Sequence, residues 1–419
     1  MNWLARSPVW GFVLIFLLAF AVRAYLLTLV PLERYPERFS ELGAVARSLV
    51  ERGQYADPYV LPTGPTAHPL PIYTGLIALL YRLCGLTLTA EYVRCVIIIL
   101  GYSVSYAMLP WVAARMGVGA PAGVVSGLVG AVIPRRWMGE VHCAWDEQYA
   151  AIWLALLLVA VIRRWKRPHS SAMSSLLLGI AWGASFHVSP PFVIVLAGCL
   201  VFELWWRRDP QKWRGAAVMV VGVVLSCVPW AWRNYVAFHD FFFIRSNFGL
   251  ELRMGNHPGA AADIEVLDAR EGARMRHPGC NRDEARRLAE IGEMEYMRQA
   301  RGAALDWMWR NPREFLTLTA ARFVHFWCGS LHKPWNVAAV SVLTLLAALG
   351  ARRALPRMTV PQRAALLIPL ATFPLIYYLV TYMSRYRVPI DWILLILAGA
   401  ELWHWIAAGS RQSTSGSPR

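Results

Sequence analysis

The chain has 419 residues, of which 57% are hydrophobic and 16% charged, and its formal net charge is +16. Apolar runs of membrane-spanning length recur from end to end, which excludes an ordinary soluble protein and indicates a polytopic membrane protein. The charge does not indicate nucleic-acid binding, because the longest hydrophilic stretch, 233–312, carries twelve arginines and twelve acidic residues. The excess therefore lies in the membrane part and its short loops, where basic residues mark the cytoplasmic face and can contact anionic lipid or phosphate.

The cysteines and the first apolar run exclude two further interpretations. The seven cysteines are scattered, form no CxxC pair and fall mostly in apolar segments, so we predict neither a zinc site nor a disulfide framework. The apolar run 9–30 is too long for a signal-peptide core and lacks a clear small-residue cleavage site. We therefore expect it to be a retained first span.

The apolar runs predict ten membrane spans with both ends of the chain in the cytoplasm. These spans are 10–30, 92–112, 118–133, 145–162, 173–187, 191–206, 216–232, 337–349, 365–382 and 389–406. The run 72–84 is about one turn short of a span, and we expect it to be re-entrant or interfacial. If 72–84 does not cross the membrane, the basic cluster 163–167 lies on the cytoplasmic side and Asp146 lies on the external side.

Two hydrophilic regions lie outside in this topology. The first is the external loop 31–71, in which 39–51 has the spacing of an amphipathic helix and is followed by a turning path rich in proline and glycine. The second is a small soluble insert, in which Asn281 with Glu284, and then Asn311, predict helix starts. The helix predicted at 315–327 carries an arginine and a histidine among aromatic residues, which favours the outer membrane interface.

The predicted organisation therefore has three parts. Residues 1–232 form an N-terminal transmembrane catalytic module with the external loop, 233–335 form the external insert, and 336–419 form the C-terminal transmembrane helices and a cytoplasmic tail. No internal repeat is evident in the sequence.

Three groups of polar side chains meet at the external face in this topology. The first is in the external loop, the second precedes the span 145–162 and includes His142, and the third precedes the last span; Arg135 and Arg233 are further outward cations. Catalytic candidates are the acids Glu41, Asp146 and Glu147. Substrate-binding candidates are His68, Tyr73, Arg136, His187, Arg385, Tyr386 and Arg387.

These residue types suit the displacement of a phosphate. A carboxylate at a membrane boundary can act as a general base or hold a divalent cation, here Mg or Mn with Glu41 and Asp146 as candidate ligands. The guanidinium fork of arginine makes paired, charge-assisted hydrogen bonds to phosphate. Acids and arginines on one face therefore predict a site for a lipid phosphate.

Each group also has a structural interpretation. Glu41 suits the wet face of an interfacial helix, and Asp146 and Glu147 suit a helix N-terminus, where the dipole favours acids. Arg385 and Arg387 suit anchoring at lipid headgroups. The histidines are more often structural than catalytic, and the tryptophans are typical of membrane-interface belts. The functional interpretation depends on the three groups lying together.

The chain resembles the GT-C glycosyltransferases, in the branch that contains the protein O-mannosyltransferases and the lipid A aminoarabinose transferase. The segments that carry the resemblance are Glu41, Ala46-Arg47-Ser48-Leu49 with Gly53, Gly64-Pro65-Thr66-Ala67, Pro69 to Tyr73, Trp145-Asp146-Glu147, Phe248-Gly249, Gly255-Asn256 and Arg385 to Pro389. Many members have an aspartate, often in an acidic pair, at the first-loop position, whereas here Glu41 follows Ser40.

The resemblance implies a GT-C bundle and an inverting transferase that moves a sugar from a polyprenyl-phosphate donor to a lipid, glycan or protein acceptor outside. It implies that Glu41 is the base, assisted by Asp146 or Glu147 directly or through a metal. Arg385 and Arg387, with His187 or Arg136, would hold the phosphate. The prenyl chain would lie in an apolar groove beside 72–84, and the insert would help to choose the acceptor. The compact insert and short tails favour a bacterial cytoplasmic membrane with a periplasmic site.

Two classes of protein compete with the transferase. A polytopic lipid or glycan transporter, or a flippase, predicts internal repeats and charges near the middle of spans, whereas the charges here lie at the boundaries. A membrane scaffold that presents the insert to a partner predicts that the boundary acids and 384–387 are freely replaceable. We favour the enzyme.

Overall fold

The computed structural model describes residues 8–29, 32, 40–132, 147–264, 266 and 276–415. Within these ranges the chain is helical and contains no strand; two isolated bridges pair Ala56 with Pro65 and Asp263 with Tyr382. The predicted class, an all-α polytopic membrane protein, is confirmed.

The α-helices of the described residues are numbered here in chain order. They are α1 (Pro8–Thr28), α2 (Glu41–Arg52), α3 (Pro71–Cys84), α4 (Leu88–Ala107), α5 (Leu109–Met116), α6 (Ala120–Val132), α7 (Glu147–Lys166), α8 (Ala172–Phe186), α9 (Phe192–Trp206), α10 (Lys212–Phe238), α11 (Phe248–Gly255), α12 (Arg282–Ile291), α13 (Glu293–Arg310), α14 (Pro312–Cys328), α15 (Pro334–Ala354), α16 (Val360–Thr372) and α17 (Val388–Ser415). Short 3₁₀ helices occupy Leu355–Arg357, Phe373–Tyr378 and Ser384–Arg387.

Seven helical stretches of the described chain are long and apolar enough to cross a membrane. They are Val9–Thr28, Leu88–Met116, Glu147–Lys166, Lys212–Phe238, Pro334–Arg357, Val360–Tyr378 and Ser384–Gly409. Three of the ten predicted spans are shorter helices, α6 with 13 residues and α8 and α9 with 15 each. Fifteen helical residues rise only about 22 Å, against a hydrocarbon core of about 30 Å, so the predicted count of ten is not confirmed. Helix α3, with 14 residues, is short as predicted.

Helix α7 lies at the centre of the bundle. In its apolar window 67% of the residues are buried inside the protein, against 22% for the first helix. The main apolar core joins α7 to residues of α8, α9, α16 and α17. The first turn of α7, which carries Glu147, is thereby held at the middle of one end of the bundle.

Close packing of α8 against α10 depends on glycines. A Cβ atom on Gly179 would lie 2.0 Å from the carbonyl oxygen of Met219, and one on Gly222 would lie 2.3 Å from that of Leu176. Gly183, four residues after Gly179, faces the same partner helix. Small residues at this spacing allow two membrane helices to approach closely.

We expect Gly179→Ala to destabilise the protein by about 1–3 kcal/mol, because the added methyl group meets a backbone carbonyl that cannot turn away. Thermal unfolding in detergent, followed by tryptophan fluorescence, measures the effect. The matched control is Gly302→Ala on α13, where a Cβ atom would have nothing within 4 Å. Equal unfolding temperatures for both variants would show that the glycine contact is unimportant.

Candidate active site

Helix α2 places Glu41 at its first residue. The side chain of Ser40 caps the helix by accepting a hydrogen bond from the backbone N–H of Gly43 (3.1 Å), and Gly53 ends it in the left-handed conformation with φ of 67°. The apolar face of α2 is buried, so the amphipathic helix predicted at 39–51 is confirmed with a start two residues later. The cap and the buried face of α2 hold the Glu41 carboxylate at a defined position.

The chain returns over α2 through an irregular path that brings His68 back to Glu41. Asp57, at φ of 59°, folds this path by accepting hydrogen bonds from the backbone N–H groups of Thr63 and Gly64, each at 2.8 Å. His68 ends up 2% exposed. The turning path predicted from its prolines and glycines thus has a positional role.

Two histidines flank the Glu41 carboxylate. Nε2 of His68 lies 2.8 Å from Oε2 of Glu41, and Nε2 of His277 lies 3.4 Å from Oε1. The ring of Tyr59 meets both imidazoles edge-on, with centroid distances of 5.3 Å to His68 and 6.0 Å to His277. His277 belongs to the segment before α12, so the external loop and the insert build this cluster together.

The surroundings of Glu41 keep it ionised. Burial alone raises the pKa of its carboxyl group, but the charges of His68 and His277, the hydrogen bond with His68 and the charge of Arg245 outweigh burial and bring that pKa well below its usual range. The carboxylate is therefore negatively charged at neutral pH and throughout mildly acidic conditions.

The same cluster fits a divalent metal ion. The ligand atoms of Glu41, His68 and His277 all lie within 4.8 Å of one another. Two imidazoles and one carboxylate are a donor set typical of transition-metal sites that keep positions open for other ligands. Asp146, which we paired with Glu41 as a metal ligand, lies outside the described residues, and the ligands brought to Glu41 in the described chain are histidines.

A cavity of 1180 Å³ opens beside this cluster. It lies between α2, the return path, the start of α7, the turn before α9, the 243–254 segment and the chain around the last 3₁₀ helix. Its charged lining residues are Glu41, Arg47, His68, Glu147, Arg245, Glu251, His277 and Arg385. An apolar wall is formed by Pro190, Pro191, Ile194, Ile376, Tyr377 and Val380.

The cavity brings together five of the predicted site residues, which are Glu41, His68, Glu147, Arg385 and Tyr386. Nη1 of Arg385 lies 3.4 Å from Oε1 of Glu147, so the second and third predicted groups are in contact. Described members of all three groups therefore line one cavity.

Other predicted site residues lie elsewhere. Arg387 is 1% exposed, donates from Nε to Asp391 Oδ1 at 2.7 Å and does not line the cavity. His187 is also outside the lining, with Nε2 at 3.4 Å from the carbonyl oxygen of Ser226. Tyr73 lines a neighbouring groove instead. Outside the described residues lie Arg135, Arg136, His142 and Asp146.

Arg245 is a site residue that the sequence analysis missed. Its Nε donates a hydrogen bond to the carbonyl oxygen of His68, and its side chain lines the cavity. Within the described chain its terminal guanidinium nitrogens make no hydrogen bond or ion pair. Because nothing in the local sequence of the insert distinguishes this arginine from eleven others, only its contact with the distant external loop shows its position.

An apolar groove of 540 Å³ adjoins the cavity. Side chains of α3, α7 and α8 form its walls, among them Tyr73 and Trp153, and every lining residue is apolar or aromatic. Val188 lines both the groove and the cavity. The predicted apolar groove beside the short helix is therefore present, and it adjoins the polar cluster.

The fold is shared with solved membrane proteins. The archaeal oligosaccharyltransferase AglB from Archaeoglobus fulgidus, in complex with an inhibitory peptide and a dolichol-phosphate, is 15% identical, with a TM-score of 0.55 over 97% of this chain and 52% of its own. The Archaeoglobus fulgidus oligosaccharyltransferase in complex with Zn and sulfate is 16% identical, with a TM-score of 0.52 over 94% and 51%. The chain has the GT-C fold.

The chain spans about half the length of those oligosaccharyltransferases, and at these identities the similarity establishes the fold and not the activity. ArnT from Cupriavidus metallidurans bound to undecaprenyl phosphate is 17% identical over 96% of this chain and 79% of its own, and its TM-score of 0.39 adds nothing to the fold assignment. No family model and no curated protein matches the sequence.

Proposed function

We propose that this GT-C protein is a membrane glycosyltransferase that moves a sugar from a polyprenyl-phosphate donor to an acceptor. One observation carries the proposal: a cavity with a carboxylate–histidine cluster, and with an arginine whose terminal nitrogens have no hydrogen-bond partner among the described residues, shares Val188 with a groove lined by apolar and aromatic side chains. A polyprenyl-phosphate sugar has the matching shape, with a long apolar chain for the groove and an anionic head for the cavity. The AglB structure with a dolichol-phosphate supports the same class of lipid.

Arg245 and Arg385 would bind the donor phosphate. Both line the cavity, and the terminal nitrogens of Arg245 are available for charge-assisted hydrogen bonds. Glu147 holds Arg385 at 3.4 Å and orients its guanidinium. This pair replaces Arg387, whose guanidinium is occupied by Asp391 and buried.

Glu41 would accept the proton of the acceptor. The acceptor oxygen or nitrogen attacks the anomeric carbon, the bond from that carbon to the phosphate oxygen breaks with inversion, and the phosphate leaves with the electron pair. In such an oxocarbenium-like displacement the attacking group becomes strongly acidic as its bond forms, so a carboxylate with a lowered pKa is still an adequate base. Each carboxylate oxygen has a second lone pair beyond its contact with histidine, which leaves room for the acceptor.

A divalent cation held by Glu41, His68 and His277 would add positive charge beside the acceptor and the phosphate. Two imidazole ligands suit Zn better than the Mg or Mn that carboxylates alone would favour. The protein residues have the same tasks with or without it: Glu41 orients the acceptor, and the arginines hold the phosphate.

The predicted topology supports an assignment of the membrane face at which the reaction takes place. We assign the cavity to the external, periplasmic face of a bacterial cytoplasmic membrane, with the basic cluster 163–167 on the opposite face. The insert contributes His277, Arg245 and Glu251 to the cavity, which supports a role in choosing the acceptor.

Cleavage of a labelled donor tests the proposal. Purified protein in liposomes is given polyprenyl-phosphate sugars carrying radiolabelled hexoses or pentoses, with and without a lipid extract as acceptor source. We expect release of polyprenyl phosphate from at least one donor, slow with water as the acceptor and faster with the extract. A flippase would instead move the intact donor between leaflets. Movement without cleavage for every donor would favour that alternative and contradict ours.

The pH dependence of donor cleavage should report the histidine partners of Glu41. Removing His68 takes away the main influence that lowers the pKa of Glu41 and leaves burial, which raises it. Because its pKa is lowered, Glu41 stays ionised below pH 4.5, the ordinary pKa of a glutamate. In the wild type, the loss of donor cleavage on the acid side of the pH–rate profile therefore lies below pH 4.5. We expect His68→Ala to move this acid-side loss of cleavage to higher pH. The control is His404→Ala, which replaces an exposed histidine on α17 and should leave the profile unchanged. An acid-side loss at the same pH in wild type and His68→Ala would contradict the assignment of Glu41.

A further inference from the structure

Glu293 is a buried acid that the proposed chemistry does not use. It is the first residue of α13 in the insert, is 4% exposed and does not line the cavity. Burial of a carboxylate is costly unless hydrogen bonds compensate for the lost water. Its contacts therefore show what this residue does for the protein.

One oxygen of Glu293 holds two separate chain segments. Oε1 accepts a hydrogen bond from the backbone N–H of Ala67 at 2.8 Å and from the hydroxyl of Ser246 at 2.6 Å. Ala67 immediately precedes His68, and Ser246 immediately follows Arg245. The carboxylate thus links the chain at the histidine cluster to the chain at the phosphate-binding arginine.

Neighbouring contacts reinforce this link. The backbone N–H of Ser246 donates to the carbonyl oxygen of Ala67 at 3.4 Å, and Arg245 donates to that of His68. Arg233 donates to the carbonyl oxygen of Thr66 at 2.7 Å, and its positive charge attracts Glu293. The return path before α3 is therefore held mainly by the insert at this point.

We propose that Glu293 is a positioning residue that sets His68 and Arg245 relative to each other. This role rests on the proposed function, because it matters for catalysis only if those two side chains act on the donor. It explains why the insert is needed beyond acceptor choice: without Glu293 the segment 66–68 loses an anchor that also fixes 245–246.

Hydrogen exchange tests the positional part without any substrate. The variants are Glu293→Ala, which removes both hydrogen bonds, and Glu293→Gln, which keeps the volume and a weaker acceptor. We expect amide exchange in peptides covering 64–70 to be about tenfold faster in Glu293→Ala and less changed in Glu293→Gln. The matched control is Glu295→Gln, since Glu295 is partly exposed on the same helix and its hydrogen bonds within the described chain are to Arg298 and Gln299. Unchanged exchange in both Glu293 variants would overturn the proposal.

A double-mutant cycle on donor cleavage tests the catalytic part. We expect Glu293→Ala to lower kcat about 10–100-fold and to raise the donor KM, as expected when an outer partner of functional residues is lost. Because Glu293 acts through both His68 and Arg245, adding Glu293→Ala to His68→Ala should lower kcat by a smaller factor than Glu293→Ala does in the wild type. Full additivity of the two losses in kcat would indicate general structural damage and overturn the positioning role.

The two proposals fail in different ways. If His68→Ala and Arg245→Ala both cleave the donor at the wild-type rate, the proposed active site is wrong, even if exchange at 64–70 still depends on Glu293. If those variants lose cleavage while Glu293→Ala retains wild-type kcat and KM, the active site stands and the positioning role falls.

Discussion

We expect Glu41→Gln to lower donor cleavage and sugar transfer about 10²–10⁴-fold while the protein stays folded. The amide has nearly the shape of the carboxylate but cannot take a proton, and it loses the charge that attracts His68 and His277. The defect should appear in kcat more than in the donor KM, because the proposed phosphate ligands are arginines on other segments. Initial rates in liposomes at saturating donor measure it.

The control for this variant is Glu51→Gln, an exposed acid on the same helix. Both proteins should elute as single species in detergent and unfold at similar temperatures. Wild-type kcat in Glu41→Gln would remove Glu41 from the chemistry and leave Glu147, or Asp146 outside the described residues, as the acid to examine.

We expect Arg322→Met to be the most destabilising single change proposed for this protein, by about 3–5 kcal/mol, because each buried acceptor that loses its donor costs about 1–3 kcal/mol. Arg322 on α14 is 0% exposed and donates to the carbonyl oxygens of Gly255 and Leu379 and to Oδ1 of Asn256. Burial lowers the pKa of Arg322 to about 10, so the guanidinium is still charged at neutral pH. Methionine fills much of the volume but leaves the carbonyl oxygen of Gly255 and Oδ1 of Asn256 without this donor, whereas the carbonyl oxygen of Leu379 keeps the hydrogen bond from Nδ2 of Asn256.

Thermal unfolding in detergent measures this loss, and Arg301→Met, an exposed arginine on α13, is the control. Arg322 joins the end of α11 to the chain that carries Val380 and Thr381 at the cavity wall, so we also expect weaker donor binding. An Arg322→Met protein as stable as the control would mean that water replaces the guanidinium at these carbonyls.

Helix positions were largely predictable because they depend on local chemistry. Long apolar runs have one stable state in lipid, the helix, and polar caps such as Ser40 mark where helices begin. Span count was less predictable, because α6, α8 and α9 are helices too short to be assigned as spans by length.

Polar side chains were less predictable because long-range partners compete for them. The pair Asn281 and Glu284 predicts a reciprocal cap, and Asn281 does cap α12 by accepting from the N–H of Asp283 at 2.8 Å. Glu284 instead binds Arg253 at 2.6 Å and the hydroxyl of Tyr296. A partly buried, paired salt bridge between helices is stronger than a local contact to one backbone N–H, so Glu284 binds its tertiary partners instead of completing the cap.

In the five-residue motif Arg385 to Pro389, too, the sequence did not predict which partners the polar side chains have. Both arginines suit a phosphate by type, but the 3₁₀ helix Ser384–Arg387 turns Arg385 towards Glu147 and the cavity. Arg387 lies one turn before Asp391 on α17 and is buried against it. The residue type indicated phosphate binding, but only the backbone geometry showed that Arg385, and not Arg387, faces the cavity.

The sequence by itself determined that this chain is a helical membrane protein and that Glu41 and His68 lie in one hydrophilic loop between apolar helices. Hydropathy, helix caps and turn residues act over a few positions and can be recognised along the chain. Only the tertiary structure decided that His277, Arg245 and Glu293 join that loop, because their contacts span 177 to 236 positions of the chain. Such contacts form when the insert folds back over the bundle, and no local pattern records which of its many charged residues will meet the loop.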